Sequence, residues 1–126
     1  MTAKRWLMTL GGLLLLASCA APHPYDGLNI ALRPEVAALE LPIGDNPVTA
    51  SGPGWVEVYV ETDAPGAVSS RWEDALHAKG WRPVREDTTN HKVLFRTDQG
   101  APAELSITPD LDGYLISLSF RTTDDG

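Results

Sequence analysis

A single cysteine, Cys19, follows an apolar run that extends from Trp6 to Ala17, with only Ser18 between them. Because the chain of 126 residues contains no second cysteine, no internal disulfide and no cysteine-based metal site can form. Small exported domains commonly depend on disulfides. This chain must instead be held together by one hydrophobic core, which roughly 70–110 residues can close as a single domain.

The first residues are organised like an export signal. Met1–Arg5 is short and basic, and the apolar run behind it has about 12 residues, whereas a membrane-spanning helix needs roughly 20. The segment Leu16-Ala17-Ser18-Cys19 resembles the lipobox of bacterial lipoprotein precursors, in which a leucine, two small residues and a cysteine follow one another. We expect residues 1–18 to be a lipoprotein signal peptide. The alternative is an ordinary secretory signal cut after Ala17 or Ala21.

The resemblance implies a covalent anchor and no other cofactor. In that family the cysteine thiol, here Cys19, receives a diacylglycerol with fatty chains such as palmitate, and the new amine is often acylated as well. The reactivity of the thiolate explains why only cysteine serves at this position. In double-membraned bacteria, an aspartate after the cysteine marks retention in the inner membrane. Ala20 stands there, which implies an outer-membrane location facing the periplasm if the source is such a bacterium.

The charge balance argues against nucleic acid as a partner. The formal net charge is -7, and cleavage of the signal removes Lys4 and Arg5, so the remaining chain is more acidic still. Nucleic-acid binding requires clustered Lys and Arg to neutralise phosphates. The same balance disfavours adsorption to anionic lipid by charge alone. Contact with the membrane is therefore expected through the lipid anchor.

Residues 19–53 are expected to form the lipidated N-terminus and a tether. Prolines recur along this stretch, but Leu28–Leu32 and Val36–Leu39 are more apolar than a solvated linker needs. We expect these two segments to pack partly on the domain, as a short helix or an added strand.

The domain itself is predicted over residues 54–121. Trp55–Glu61 alternates strictly, with three valines on one side, which predicts a half-buried strand. Asp63-Ala64-Pro65 predicts a helix start with Asp63 or Thr62 as the N-cap. One apolar stripe follows at three- and four-residue spacing: Val68, Trp72, Ala75, Leu76 and Lys79. Gly80 is the expected left-handed C-cap, with Trp81 folding back on the last turn.

Alternating segments after the helix predict strands. Trp81–Glu86 is short and is expected at or near a sheet edge, because Pro83 cannot donate a ladder hydrogen bond. The later segments are Lys92–Thr97, Ala103–Ile107 and Tyr114–Phe120. We predict an α+β fold of order β-α-β-β-β, an antiparallel sheet with one helix packed on one face. Residues 122–126 are predicted to be a polar tail.

The globular part resembles a type of small, uncharacterised bacterial lipoprotein domain over roughly residues 55–121. In that type a strand ends in a Thr-Asp/Ser-Ala helix start, and the helix ends in Gly-Trp before three strands. The positions that match are Val68, Trp72, Leu76, Gly80 and Trp81. Arg71 stands where an aromatic residue is usual. The resemblance implies this architecture and no known activity.

The residue types that could bind a metal or act in catalysis are not spaced for either role in this sequence. His23, His77 and His91 share no metal-ligand spacing. Ser70 and His77 are about 10 Å apart along a helix, which is too far for direct proton transfer. Glu57 and Glu61 are about 13 Å apart on a strand, whereas a working carboxylate pair needs about 5–9.5 Å. We therefore predict no catalytic residues and no enzyme activity, and a hydrolase is the least favoured alternative.

The segment Asp110-Leu111-Asp112-Gly113 resembles the opening of a calcium loop. The third ligand position of such a loop and its distal glutamate are missing, and Ser117 and Ser119 stand downstream. A tight hairpin requires the same residues, because Asp and Gly tolerate positive φ. We predict a hairpin turn and no metal site.

One surface is a candidate for interaction. Trp55, Tyr59, Leu94 and Leu115 are expected on the face of the sheet that the helix leaves open. Together they would form an apolar patch with an acidic rim, suited to another envelope protein or a peptide. The alternative is that residues 28–41 fold across this face and bury it. The function expected is therefore a non-enzymatic interaction domain on a lipid anchor, with a small-ligand or metal-binding module in the cleft between helix and sheet as the alternative.

Overall fold

A computed structural model describes residues 24–122 of the chain. The predicted signal peptide, Cys19, His23 and residues 123–126 of the predicted polar tail lie outside the described residues. The elements, in chain order, are α1 (Pro34–Ala37), β1 (Val48–Gly52), β2 (Trp55–Val60), α2 (Pro65–Ala78), β3 (Arg82–Asp87), β4 (Lys92–Arg96), β5 (Pro102–Asp110) and β6 (Gly113–Phe120).

The six strands form one antiparallel sheet in the order β1-β2-β6-β5-β4-β3. The predicted α+β class, with one main helix on one face, is confirmed. The sheet has two strands more than the predicted order β-α-β-β-β. One is β1, which precedes the predicted domain start, and the other arises because all four alternating segments named after the helix form strands, whereas that order counted three. The segment Val48–Gly52 gave no strand signal since it lacks apolar alternation, and it is held by its pairing with β2.

The helix α2 packs through the predicted stripe. Val68, Trp72 and Leu76 are its buried residues, and they share one core cluster with the inward-facing residues of the sheet. The N-cap is Ala64, with Pro65 in the first turn and no side-chain cap hydrogen bond. The prediction of Asp63 or Thr62 as N-cap was wrong, because the Thr62 hydroxyl instead accepts a hydrogen bond from the Ala64 N–H.

The end of α2 follows the prediction. Gly80 has φ of 88°, and its N–H bonds the His77 carbonyl at 3.0 Å. The N–H of Trp81 bonds the Leu76 carbonyl at 3.1 Å, which together with the Gly80 bond makes the Schellman arrangement. Trp81 is buried and packs edge-on against Phe120, with ring centroids 5.2 Å apart. The C-terminus of α2 is thereby joined to the end of β6.

The strand register defines two ends of the domain. At the first, called the turn end here, β5 and β6 meet at the Asp110↔Gly113 pair, β2 finishes at Val60, and α2 begins. At the second, called the arginine end, Arg82 pairs with Arg96 across β3 and β4, and α2 finishes. The chain between residues 30 and 35 runs from the turn end towards the arginine end, since the Ile30 N–H bonds the Val48 carbonyl and the Glu35 carboxylate accepts from the Gly54 N–H at 2.9 Å. It returns to the turn end before β1, where the Pro47 carbonyl accepts from the Tyr59 N–H.

Candidate functional site

The four residues of the predicted interaction surface do lie on the helix-free face, but they do not form one apolar patch. Trp55 on β2 pairs with Ser119 on β6, and Ser119 pairs with Glu104 on β5. Glu104 in turn pairs with Leu94 on β4. Three strand spacings, about 14 Å, therefore separate Trp55 from Leu94. The distance could not be read from the sequence, because the strand order places β6 and β5 between β2 and β4.

Polar side chains occupy the middle of this face. The hydroxyls of Ser106 and Ser117 are 2.8 Å apart and share a hydrogen bond. Thr49 donates its hydroxyl hydrogen to the Glu57 carboxylate at 2.9 Å, and Lys92 approaches Glu104 to 3.8 Å. A partner that docks here would meet a hydrogen-bonding surface with Trp55 at its margin.

Trp55 and Tyr59 have very different environments although both point to the helix-free side of β2. Trp55 is 40% exposed, and its indole lies where a Cβ on Gly52 would stand, so the ring rests against the backbone of the β1–β2 hairpin. Tyr59 is only 2% exposed. It lies opposite Leu115, which is itself half-buried.

The residue that covers Tyr59 is Tyr25, from the N-terminal segment. Their ring centroids are 4.8 Å apart at an interplanar angle of 46°. The segment 28–41, which was considered as a cover for this face, lies elsewhere: Val36 and Leu39 are buried in the core cluster that contains Trp81. The N-terminal segment therefore packs on two places, with Tyr25 on the helix-free face and α1 in the main core.

Two aspartates of the β5–β6 turn complete a tyrosine–aspartate cluster, which consists of Tyr25, Tyr59, Asp110 and Asp112. The Tyr25 hydroxyl donates to Asp110 at 2.6 Å, and the Tyr59 hydroxyl donates to Asp112. The hydrogen bond to Asp110 raises the pKa of Tyr25. Burial, followed by the hydrogen bond to Asp112, raises the pKa of Tyr59. Both phenols are thus held as neutral donors to the turn carboxylates.

The cluster gives both aspartates of the Asp-Leu-Asp-Gly segment a tyrosine partner. In the part of the chain that the structure describes, no group of three or more His, Cys, Asp or Glu side chains is placed to hold a metal ion. The turn itself was predicted correctly, but the residue with positive φ is Leu111, at 54°, rather than an Asp or Gly. The tyrosine partners were missed because Tyr25 and Asp110 are 85 residues apart in the chain.

A cleft of about 230 Å³ lies between the first turns of α2 and the β3–β4 hairpin. Its lining includes Ser69, Glu73, Glu86, Asp87 and His91. The Ser69 hydroxyl donates to Glu73 at 3.3 Å, and partial burial of Glu73 raises the pKa of its carboxyl. The cleft can accept a small ligand that carries hydrogen-bond donors or positive charge.

The serine and histidine candidates within the described residues, Ser70, His77 and His91, are exposed. Ser70 and His77 both lie on the solvent side of α2, and His91 follows the β3–β4 turn with φ of 54°. Among residues 24–122, no serine hydroxyl hydrogen-bonds a histidine. The Glu57 carboxylate accepts a hydrogen bond from the Thr49 hydroxyl, and Glu61 lies beyond the end of β2. The absence of enzyme activity stays a prediction.

Comparison of the chain with profiles of known protein families, with curated proteins and with solved structures finds no match. The lipobox and the resemblance of residues 55–121 to a lipoprotein domain therefore remain predictions from the sequence. Within the described residues, no helix is long and apolar enough to cross a membrane.

Proposed function

We propose that this protein is a bacterial lipoprotein, anchored in the cell envelope through Cys19, whose α+β domain is a non-enzymatic interaction module. The observation that carries the proposal is the order of a basic start, an apolar run and Leu16-Ala17-Ser18-Cys19. Each buried CH₂ of a fatty chain contributes about 0.8 kcal/mol to membrane binding, so two or three chains hold a protein stably. Ala20 favours the outer membrane in a double-membraned source.

The anchor is tested by Cys19→Ser, with Ser18→Ala as a matched control that keeps a small residue before the cysteine. The measurement is the intact mass of the membrane-extracted protein together with its fractionation. The native chain and Ser18→Ala are expected to lose residues 1–18, to gain acyl mass and to sediment with membranes. Processing of Cys19→Ser at the same bond, with continued sedimentation, would refute the proposal.

The interaction role is supported by Trp55, an exposed aromatic side chain beside a hydrogen-bonding face. Aromatic residues surrounded by polar groups are enriched at protein interfaces. Crosslinking in intact cells should capture a partner with the native chain and with Trp55→Phe, but not with Trp55→Glu. Equal capture by Trp55→Glu and Trp55→Phe would exclude this face as the docking surface.

The cleft beside α2 supports a second candidate, a small-ligand module. A thermal-shift screen with envelope metabolites and divalent metals tests it, because a ligand that binds the folded state raises the melting temperature by mass action. A basic ligand should raise the melting temperature of the native protein and not that of Glu73→Gln. No shift with any compound would leave the interaction module as the better account.

A further inference from the structure

We infer that the acylated protein stands on the bilayer in one orientation, with the turn end towards the lipid and the arginine end directed away. The inference rests on the proposed anchoring through Cys19. It depends on where Tyr25 is held in the domain, on the number of residues between Tyr25 and Cys19, and on the length of the domain.

Tyr25 is held at the turn end of the domain. The ring of Tyr25 contacts Tyr59 and its hydroxyl bonds Asp110. The carbonyl of Tyr25 also accepts from the Leu28 N–H at 3.2 Å, and the N–H of Ile30 bonds Val48 at 3.3 Å. These contacts hold Tyr25 and the residues that follow it, so Tyr25 is part of the folded domain.

The chain length between the anchor and this point is short. Six peptide units join Cys19 to Tyr25, and even fully extended they span only about 20 Å. The nine residues of β5 alone extend over about 30 Å. While Tyr25 stays docked, the connection is too short to reach past the domain to its other end. The arginine end therefore cannot face the bilayer.

Charge would favour the opposite arrangement on an anionic bilayer. The turn end carries Asp26, Glu61, Asp110 and Asp112. The arginine end carries Arg82, Arg96 and Arg121, and among residues 24–122 none of these three forms an ion pair. Two carboxylates, Glu35 and Asp98, also lie at this end, fewer than at the turn end. An anionic surface attracts cationic side chains within about 10 Å. The Tyr25 contact thus opposes the electrostatic attraction that would turn the arginine end towards an anionic bilayer.

The experiment uses the full chain, acylated in cells, extracted from membranes and reconstituted in phosphatidylcholine vesicles that carry an energy-acceptor dye on a headgroup. The same donor dye is attached to a cysteine introduced at Leu111, in the β5–β6 turn, or at Gln99, in the β4–β5 turn at the arginine end. Cys19 does not react, because its sulfur is already alkylated. Energy transfer is expected to be several-fold stronger from position 111 than from position 99.

Tyr25→Ala should release the segment around residue 25 from the turn end and reduce the difference in energy transfer between the two positions. Tyr114→Phe, which removes a hydroxyl outside the cluster, should preserve that difference. Adding anionic phosphatidylglycerol to the vesicles should make position 99 the stronger donor in Tyr25→Ala only. Equal transfer from both positions in the native chain, or stronger transfer from position 99, would overturn the orientation. A chain that lacks acyl mass and does not float with vesicles would instead overturn the anchoring itself.

Discussion

Tyr59 donates its phenolic hydrogen to the carboxylate of Asp112, a residue 53 positions further along the chain. The bond joins the end of β2 to the turn between β5 and β6, while Tyr25 covers the ring. The N-terminal segment, a central strand and a hairpin turn therefore meet at one phenol.

The stability of the fold should fall at alkaline pH through this phenol. The folded pKa of Tyr59 is raised above its ordinary value of 10.0, so the neutral ring contributes stability that is present below that value and is lost as the pH rises towards the folded pKa. The measurement is the free energy of unfolding in urea at neutral pH and above pH 10. Tyr59→Phe should be less stable at neutral pH and should show a shallower alkaline decline. Tyr114→Phe is the control, and an unchanged decline in Tyr59→Phe would contradict the assignment.

Thr97→Val should destabilise the protein by about 1–3 kcal/mol, the usual cost of leaving buried donors without partners. Thr97 is 6% exposed, and its hydroxyl oxygen accepts from the N–H groups of Gln99 at 3.2 Å and Ala101 at 3.1 Å. Thr97→Ser retains the oxygen and should stay much closer to the native protein. Chemical denaturation measures both, and a loss in Thr97→Ser as large as that in Thr97→Val would contradict the assignment to the hydroxyl hydrogen bonds.

Leu111→Gly should stabilise the fold by about 0.5–1 kcal/mol. Leu111 has φ of 54° and is 64% exposed, so the side chain makes little contact that would offset its left-handed backbone. That conformation costs an L-residue about 1–2 kcal/mol. Glycine avoids this cost, but its greater conformational entropy in the unfolded state cancels part of the gain. Leu111→Ala removes the exposed side chain but keeps the backbone cost. If Leu111→Ala gains as much as Leu111→Gly, the backbone is not the cause.

Two glycine substitutions should have opposite signs. A Cβ on Gly113 would lie 2.5 Å from the Val60 carbonyl oxygen and 2.6 Å from the Tyr59 hydroxyl, so Gly113→Ala should cost about 1–3 kcal/mol. A Cβ on Gly66, in the first turn of α2, meets nothing within 4 Å. Gly66→Ala should therefore stabilise the helix by up to about 1 kcal/mol. Melting temperatures of the two variants on opposite sides of the native value are the expected result.

Local patterns predicted the parts of this fold that local physics determines. Helical spacing identified Val68, Trp72 and Leu76, and Gly80 marked the end of α2 because a left-handed residue is needed there. Pro83 placed β3 at an edge, since proline lacks a donor. Each of these depends on neighbours within a few residues.

The candidate site depended on contacts that no local pattern contains. Val48–Gly52 is a strand because it pairs with β2. Tyr25 hydrogen-bonds Asp110, which lies 85 residues further along the chain. Trp55 and Leu94 share a face as predicted, but the strand order that separates them follows from the whole topology. The alternation of a strand indicates which face a side chain takes and not which side chains it will meet there.

The edge strand β3 bears on whether neighbouring copies could pair their sheets if fatty chains concentrated the protein in the plane of a bilayer. Its register shifts between Pro83 and Arg85, one position has no N–H to offer, and four of its six residues are charged. Strand edges with these features do not recruit further strands. Neighbouring copies that meet along β3 are therefore not expected to join their sheets through this edge, even where they are crowded in two dimensions.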